Sequence, residues 1–257
     1  MPRARGIHAH PLLKLGKAPA RRDARNLRLA DVLRDIRLPR EYDFDVHHFG
    51  IPLPMFGNAH HGDCVMAGRA HQTLRFERLE TGKVIHIRDG DVLREYRRQA
   101  GPGDNGLTVL DSLKEWRRRG WRVGKQRYRI RAFAEIDPRN RREVKTAIYL
   151  DVGIGLGLQL PNSAKRQIVA GKPWAIERGP AARPGSWGGH YVYVSGYTEL
   201  GPMAVTWGRK QQMTWAFVER YCDEAYAIVD RWNTRKKRRG LDRRRVEEFL
   251  RALSTPG

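Results

Sequence analysis

The sequence predicts an α+β fold with a helical first half and a strand-rich second half. Three observations carry this reading. Apolar residues recur at helical spacing between positions 64 and 150, strict apolar alternation starts at Val152, and it returns at Tyr191, Met203 and Tyr226. Helices first and strands later mark segregated layers rather than a parallel sheet with helical crossovers. At 257 residues the chain can bury a sizeable core as one large domain or two lobes.

Taken in order, residues 1–40 read as a basic N-terminal arm with a short helix. Positions 1–25 are rich in Pro, Ala and Arg and suit an extended or mobile segment, while Leu29, Val32, Leu33 and Ile36 fall at helical spacing within Asn26–Arg37. Residues 41–232 form the main domain. Prolines at 39, 52 and 54 keep the approach to it extended. A helix opens at Cys64 and presents Ala67, Ala70, His71 and Leu74 on one side; a second carries Val92, Leu93 and Tyr96. A third is bracketed by Thr108 and Asp111, at capping-box spacing, and by Gly120 as a stop. The segment 143–150 reads as helical and leads into Val152, Ile154, Leu156, Leu158 and Leu160, which alternate with Gly153, Gly155, Gly157 and Gln159. That strand's glycines imply close packing against something bulky. Strands follow at 191–197, 203–207 and 226–230, with a short helix around Trp215, Phe217, Val218 and Tyr221. Residues 233–257 form a basic tail with an amphipathic helix built on Val246, Phe249, Leu250 and Leu253.

Two residues carry the chemistry. Cys64 follows the polar loop Gly57–Asp63 and opens a helix, where the positive end of the helix dipole favours a thiolate. His190 follows Gly188 and Gly189 at the head of an apolar strand, where an imidazole can act as general base and acid. Brought together by the fold, they make a cysteine nucleophile and its base. Apart, Cys64 is a space-filling thiol and His190 a strand-end histidine satisfied by backbone.

The Asn58…Gly62-Asp63-Cys64 loop-to-helix, the Gly189-His190 strand start and Thr206-Trp207-Gly208 together resemble the papain-like cysteine peptidases, and more closely the compact papain-like proteins of bacteriophages and prophages. Asp104-Asn105-Gly106 and Leu160-Pro161-Asn162-Ser163 suit the same group. The resemblance spans roughly residues 50–232. It implies a two-lobed fold, with an N-terminal helical lobe carrying the cysteine helix and a C-terminal antiparallel β lobe. It makes Cys64 the nucleophile, His190 the base, Asn58 an oxyanion donor with the Cys64 amide, and Trp207 the shield over the histidine. The chain departs from the pattern at Val205, where the group places an asparagine or aspartate that orients the histidine. Thr206 is adjacent, but alternation points it to the opposite face unless the strand is bulged. The expected site is therefore a Cys64–His190 dyad in a peptidase acting on protein or peptide substrates. The alternative is a scaffold with weak or lost catalysis that serves as a structural or interaction protein of the virion.

Charge adds a second kind of partner. Lys and Arg number 50 against 28 acidic residues, giving +22, a surface that attracts polyanions such as DNA or an acidic virion protein. Its arginine runs are not interleaved with aromatics, and no nucleic-acid motif is present. No stretch approaches the roughly 20 apolar residues of a membrane span. The basic N-terminus leads into no apolar signal region, so a cytoplasmic or virion-associated setting is expected. Histidines at 47, 48, 60, 61 and 71 surround Cys64 in sequence, yet no Cys-x-x-Cys or paired helical histidines accompany them, and neither a metal nor a cofactor is expected.

Overall fold

The computed structural model describes residues 13–150, 153–229 and Arg244. The expected tail helix and the first 12 residues of the arm lie outside the described residues, Arg244 apart.

The short strand β1 (Leu27–Arg28) and a 3-10 turn (Leu29–Asp31) come first. They stand where helical spacing predicts a helix over Asn26–Arg37. Leu27, Leu29 and Val32 do bury their side chains, but β1 pairs in parallel with β5 (Ala132–Glu135), and the open edge of that strand wins over local helix formation. Next come β2 (Tyr42–Asp43) and the single turn α1 (Phe44–His47), capped by the Asp43 carboxylate on the Asp45 amide.

Helix α2 (Cys64–Thr81) is the axis of the helical half. Every residue from Cys64 to Phe76 is buried, so the helix has no solvent face along that length. Helices α3 (Asp89–Ala100) and α4 (Val109–Arg118) pack beside it. Thr108 is the α4 N-cap as its position predicts, but its hydroxyl makes no capping hydrogen bond. The hairpin β3 (Trp121–Val123) and β4 (Gln126–Tyr128) leads to β5, and α5 (Arg141–Leu150) then crosses to β6 (Ile154–Leu160).

The second half completes one eight-stranded sheet. After α6 (Asn162–Val169) come β7 (Gly188–Tyr197), β8 (Pro202–Thr206), β9 (Arg209–Gln212), α7 (Trp215–Tyr221) and β10 (Cys222–Val229). The strand order is β1-β5-β10-β6-β7-β8-β9, with β2 continuing the β6 edge of β7. All pairings but β1–β5 are antiparallel.

The alternation of β7 divides the interior in two. Val192 and Val194 point into a core with Leu156, Leu158, Ile148 and Phe217; Tyr191 points the other way, to Val65, Met66, Leu110 and Trp116 of the helical half. The glycines of β6 make room for large groups. A Cβ on Gly155 would stand 1.8 Å from the Tyr191 hydroxyl.

Candidate active site

Cys64 is the first residue of α2, immediately after its N-cap Asp63. Its Sγ accepts the Tyr191 amide at 3.4 Å, which sets the thiol against the His190–Tyr191 peptide at the head of β7. The order of the two halves in sequence is thereby resolved in space: the cysteine of the helical lobe meets the strand that carries the histidine near its start.

His190 is fully buried. Its Nε2 lies 2.7 Å from Thr206 Oγ1, and its ring stacks on Trp207 at 3.9 Å between centroids and 11° between planes. Its Nδ1 has no hydrogen-bond partner among the described residues. With Nε2–H donating to Thr206, Nδ1 keeps its lone pair.

Thr206 therefore faces His190, against the expectation that alternation would turn it away. The reason is register. Tyr193 pairs with Val205, so one step further along the ladder Val192 stands opposite Thr206, on the face that His190 shares with Val192. Val205 belongs to the opposite face with Tyr191 and Tyr193. No bulge is needed here; the register shift in this pair lies at Val194/Gly196. Thr206 also pairs with Arg209 across the two-residue turn Trp207-Gly208, with φ of 45° and 71°. Positive φ at both positions is the hairpin turn that matches strand twist, and it swings the indole back over the histidine.

Asn58 is buried near the start of the loop before α2, and its Nδ2 donates to the carbonyls of His61 at 3.1 Å and Lys14 at 3.3 Å. Trp207 Nε1 donates to the same Lys14 carbonyl at 3.2 Å. Lys14 thus joins Asn58 of one lobe to Trp207 of the other.

It does so because residues 14–18 lie across the site as an extended segment, joined to Leu107 by an isolated bridge at Lys17, a feature absent from the sequence-based reading of an N-terminal arm. Lys17 N donates to Gly189 O at 3.1 Å, Leu107 N to Gly16 O at 2.8 Å, and Ala18 N to Leu107 O at 3.0 Å. The Gly16 amide also lies near enough to the Cys64 thiol to favour its thiolate form. Only glycine fits at 16, since a Cβ there would stand 1.8 Å from the Gly62 carbonyl oxygen. The available signal was the apolar pair Leu13 and Leu15 interrupting a basic stretch, and the mean composition of residues 1–25 hid it.

Burial governs the electrostatics. It pushes the Cys64 thiol up to about 12, against the pull of the Tyr191 and Gly16 amides, and pushes the His190 imidazole down to about 3. Both groups are neutral while the segment covers them. Asp63, buried beside the thiol with neither carboxyl oxygen hydrogen-bonded among the described residues, is pushed up to about 8 by desolvation. At neutral pH it is therefore mainly the uncharged acid and sets no full negative charge against a developing thiolate.

No group of three or more metal-ligating side chains gathers among the described residues. Cys64 and Cys222 are both free thiols. No described helix is long and apolar enough to cross a membrane.

Helices flanking an antiparallel sheet, with a helix-opening cysteine against the strand that carries His190, give the chain the papain-like cysteine protease fold. Solved structures agree. Xylellain, a cysteine protease from Xylella fastidiosa, superposes with a TM-score of 0.64 at 14% identity, covering 88% of this chain and 99% of its own. The Carica candamarcensis cysteine protease CMS1MS2, in complex with E-64, gives 0.57 at 13% identity over 75% and 99% of the two chains. Procathepsin B S9 from Trypanosoma congolense gives 0.59 at 12% over 84% and 86%. No protein-family model and no curated protein sequence matches the chain.

Proposed function

We propose that the chain is a cysteine peptidase in which Cys64 is the nucleophile and His190 its base. The observation that carries this is the His190 Nε2–Thr206 hydrogen bond beneath the Trp207 ring, which leaves Nδ1 as the free basic nitrogen of a ring held at the thiol's strand. Cys64 Sγ adds to a peptide carbonyl as its proton passes to His190. Asn58 Nδ2 and the Cys64 amide steady the oxyanion, and His190 returns the proton to the leaving amine. Water, deprotonated by His190, then releases the acyl group. Asn58 Nδ2 already donates to a peptide carbonyl, that of Lys14, which supports its assignment as an oxyanion donor. Thr206 positions the imidazole in place of the asparagine or aspartate missing at Val205. Residues 14–18 must withdraw before a substrate enters.

The phage or prophage setting rests on the motif resemblance alone, and with it the substrates proposed: phage structural proteins, host proteins or peptidoglycan peptide bridges. Non-specific polyanion binding rests likewise on the +22 charge. The second reading, a non-catalytic scaffold, draws on one observation, the 1% exposure of Cys64.

Alkylation at neutral pH separates the two, with Cys222 as internal reference. Cys64 reacts faster than Cys222 once the segment is displaced by Gly16→Ala, and His190→Ala slows it at least about tenfold. Equal rates for the two thiols, or indifference to His190, defeat the catalytic assignment.

A further inference from the structure

The segment across the site anchors itself through one side chain. Lys17 is the residue after Gly16, whose amide lies near the Cys64 thiol, and its side chain has 0% exposure. Its Nζ lies 3.0 Å from Asp223 Oδ2, 3.1 Å from Glu224 Oε1 and 3.3 Å from the Ala18 carbonyl oxygen. Gln159 Nε2 holds Asp223 Oδ2 from the far side at 2.6 Å. Beneath the aliphatic stem, Gly157 leaves the space: a Cβ there would stand 2.3 Å from Lys17 Cε and 2.5 Å from Glu224 Cγ.

This is a built cavity for a long cation. Two carboxylates face one ammonium, and the Glu224 side chain is only 5% exposed. Asp223 Oδ1 is buried without a hydrogen-bond donor among the described residues. Buried carboxylates are costly unless paired, so removing Lys17 without replacement leaves uncompensated negative charge. The pocket also lies at the cleft itself, because the same residue's backbone pairs with Gly189, next to His190. Whatever peptide displaces residues 14–18 therefore meets this acidic floor one residue along from the position that faces Cys64.

We propose that Asp223, Glu224, Gln159 and Gly157 form a subsite selecting a lysine-type side chain in the peptide substrate, and that Lys17 occupies it here as the chain's own stand-in. The proposal rests on the peptidase reading of the same cleft. A neutral side chain of equal length fills the cavity but leaves both carboxylates without a counter-charge; an acidic one is repelled. The two acids are thus specificity-determining residues, and Gly157 is the space that lets the cation reach them.

The test is a binding measurement that needs no turnover. The full-length chain carries Cys64→Ala, so that peptide is not consumed, and Lys17→Glu, which sets like charges together and expels the segment; Lys17→Ala replaces it should the glutamate variant not fold. Loss of exchange protection at the amides of residues 17 and 18 reports the expulsion. Labelled hexapeptides with the sequence of residues 13–18 are titrated with lysine, norleucine or glutamate at the fifth position. The lysine peptide is expected to bind at least about tenfold more tightly than the norleucine peptide, and the glutamate peptide more weakly than both. Joint Asp223→Asn and Glu224→Gln substitution should bring the lysine and norleucine affinities within about twofold. Equal affinity for lysine and norleucine with the acids intact overturns the subsite, whether or not the neutralised variant folds. So does a preference that survives neutralisation. Failure of the peptidase reading is separate: lysine selectivity persists while Cys64 of the segment-displaced enzyme alkylates no faster than Cys222.

Discussion

Asp63 makes the stability of this protein depend on pH in a direction opposite to that of a salt-bridged carboxylate. Its side chain is wholly buried, and desolvation pushes its pKa from 3.8 to about 8. In the unfolded chain it ionises near pH 4, so between roughly pH 4 and 8 unfolding releases a proton. The stabilisation contributed by the protonated carboxyl is complete below the unfolded pKa and is lost as pH rises through the folded one. A shift of about four units at 1.36 kcal/mol each sets a ceiling of about 6 kcal/mol, and between pH 5 and 7 the loss approaches about 2.7 kcal/mol. Asp63→Asn keeps the shape and does not titrate. His71 and His190, pushed by burial to about 3, slope the other way, since their contribution is present above the ordinary histidine pKa and is lost as pH falls toward 3. They are common to both proteins and cancel in the difference. Guanidinium denaturation of wild type and Asp63→Asn at pH 5, 6 and 7 should show the variant gaining about 2.7 kcal/mol on the wild type across that range. Parallel pH curves would refute a buried, neutral Asp63.

Three further outcomes follow from the packing. Thr206→Val leaves His190 Nε2–H without its acceptor, a loss of about 1–3 kcal/mol, and should slow alkylation of the uncovered Cys64 by about 10- to 100-fold, while Thr206→Ser stays close to wild type; equal rates for valine and threonine remove Thr206 from the site. Asp45→Asn weakens the fork that the wholly buried Arg75 makes with Asp45 at 2.8 and 2.5 Å, and urea titration should show a loss of about 3 kcal/mol; under about 1 kcal/mol means the guanidinium finds other compensation. Gly16→Ala drives a methyl into the Gly62 carbonyl, so the Lys17 and Ala18 amides should lose exchange protection and Cys64 should react faster while Cys222 does not; unchanged protection at both amides shows that the cleft accommodates the extra carbon.

Much of the fold was legible because its signals are local. The alternation of β6 with its glycines, the strand after Gly189 and the helix after Asp63 each follow from side-chain period and backbone permissiveness. The glycines' demand for a bulky neighbour was met at Gly155 by Tyr191 and at Gly157 by Lys17. What sequence could not supply was register and long-range pairing. Counting two positions back from Trp207 singles out Val205, yet the residue facing His190 is fixed by which strand positions pair, and that favours Thr206. Leu29 and Val32 read as helical because their burial was visible, while the free edge of β5 that claims Leu27–Arg28 was not. The covering segment was hidden for the same reason: the extended stretch 14–18 has its partners at Gly189 and Leu107, far along the chain.

Covalent attachment makes that segment an occupant whose supply never runs down. Only the eight residues from Pro19 to Asn26 separate it from β1, so its effective concentration at the cleft is on the order of millimolar, independent of how much protein is present. A free peptide of equal intrinsic affinity must reach that level to compete. One cut within residues 19–26 would change no contact in the cleft, yet it would convert a tethered occupant into a dissociable one, and dilution alone would then uncover Cys64.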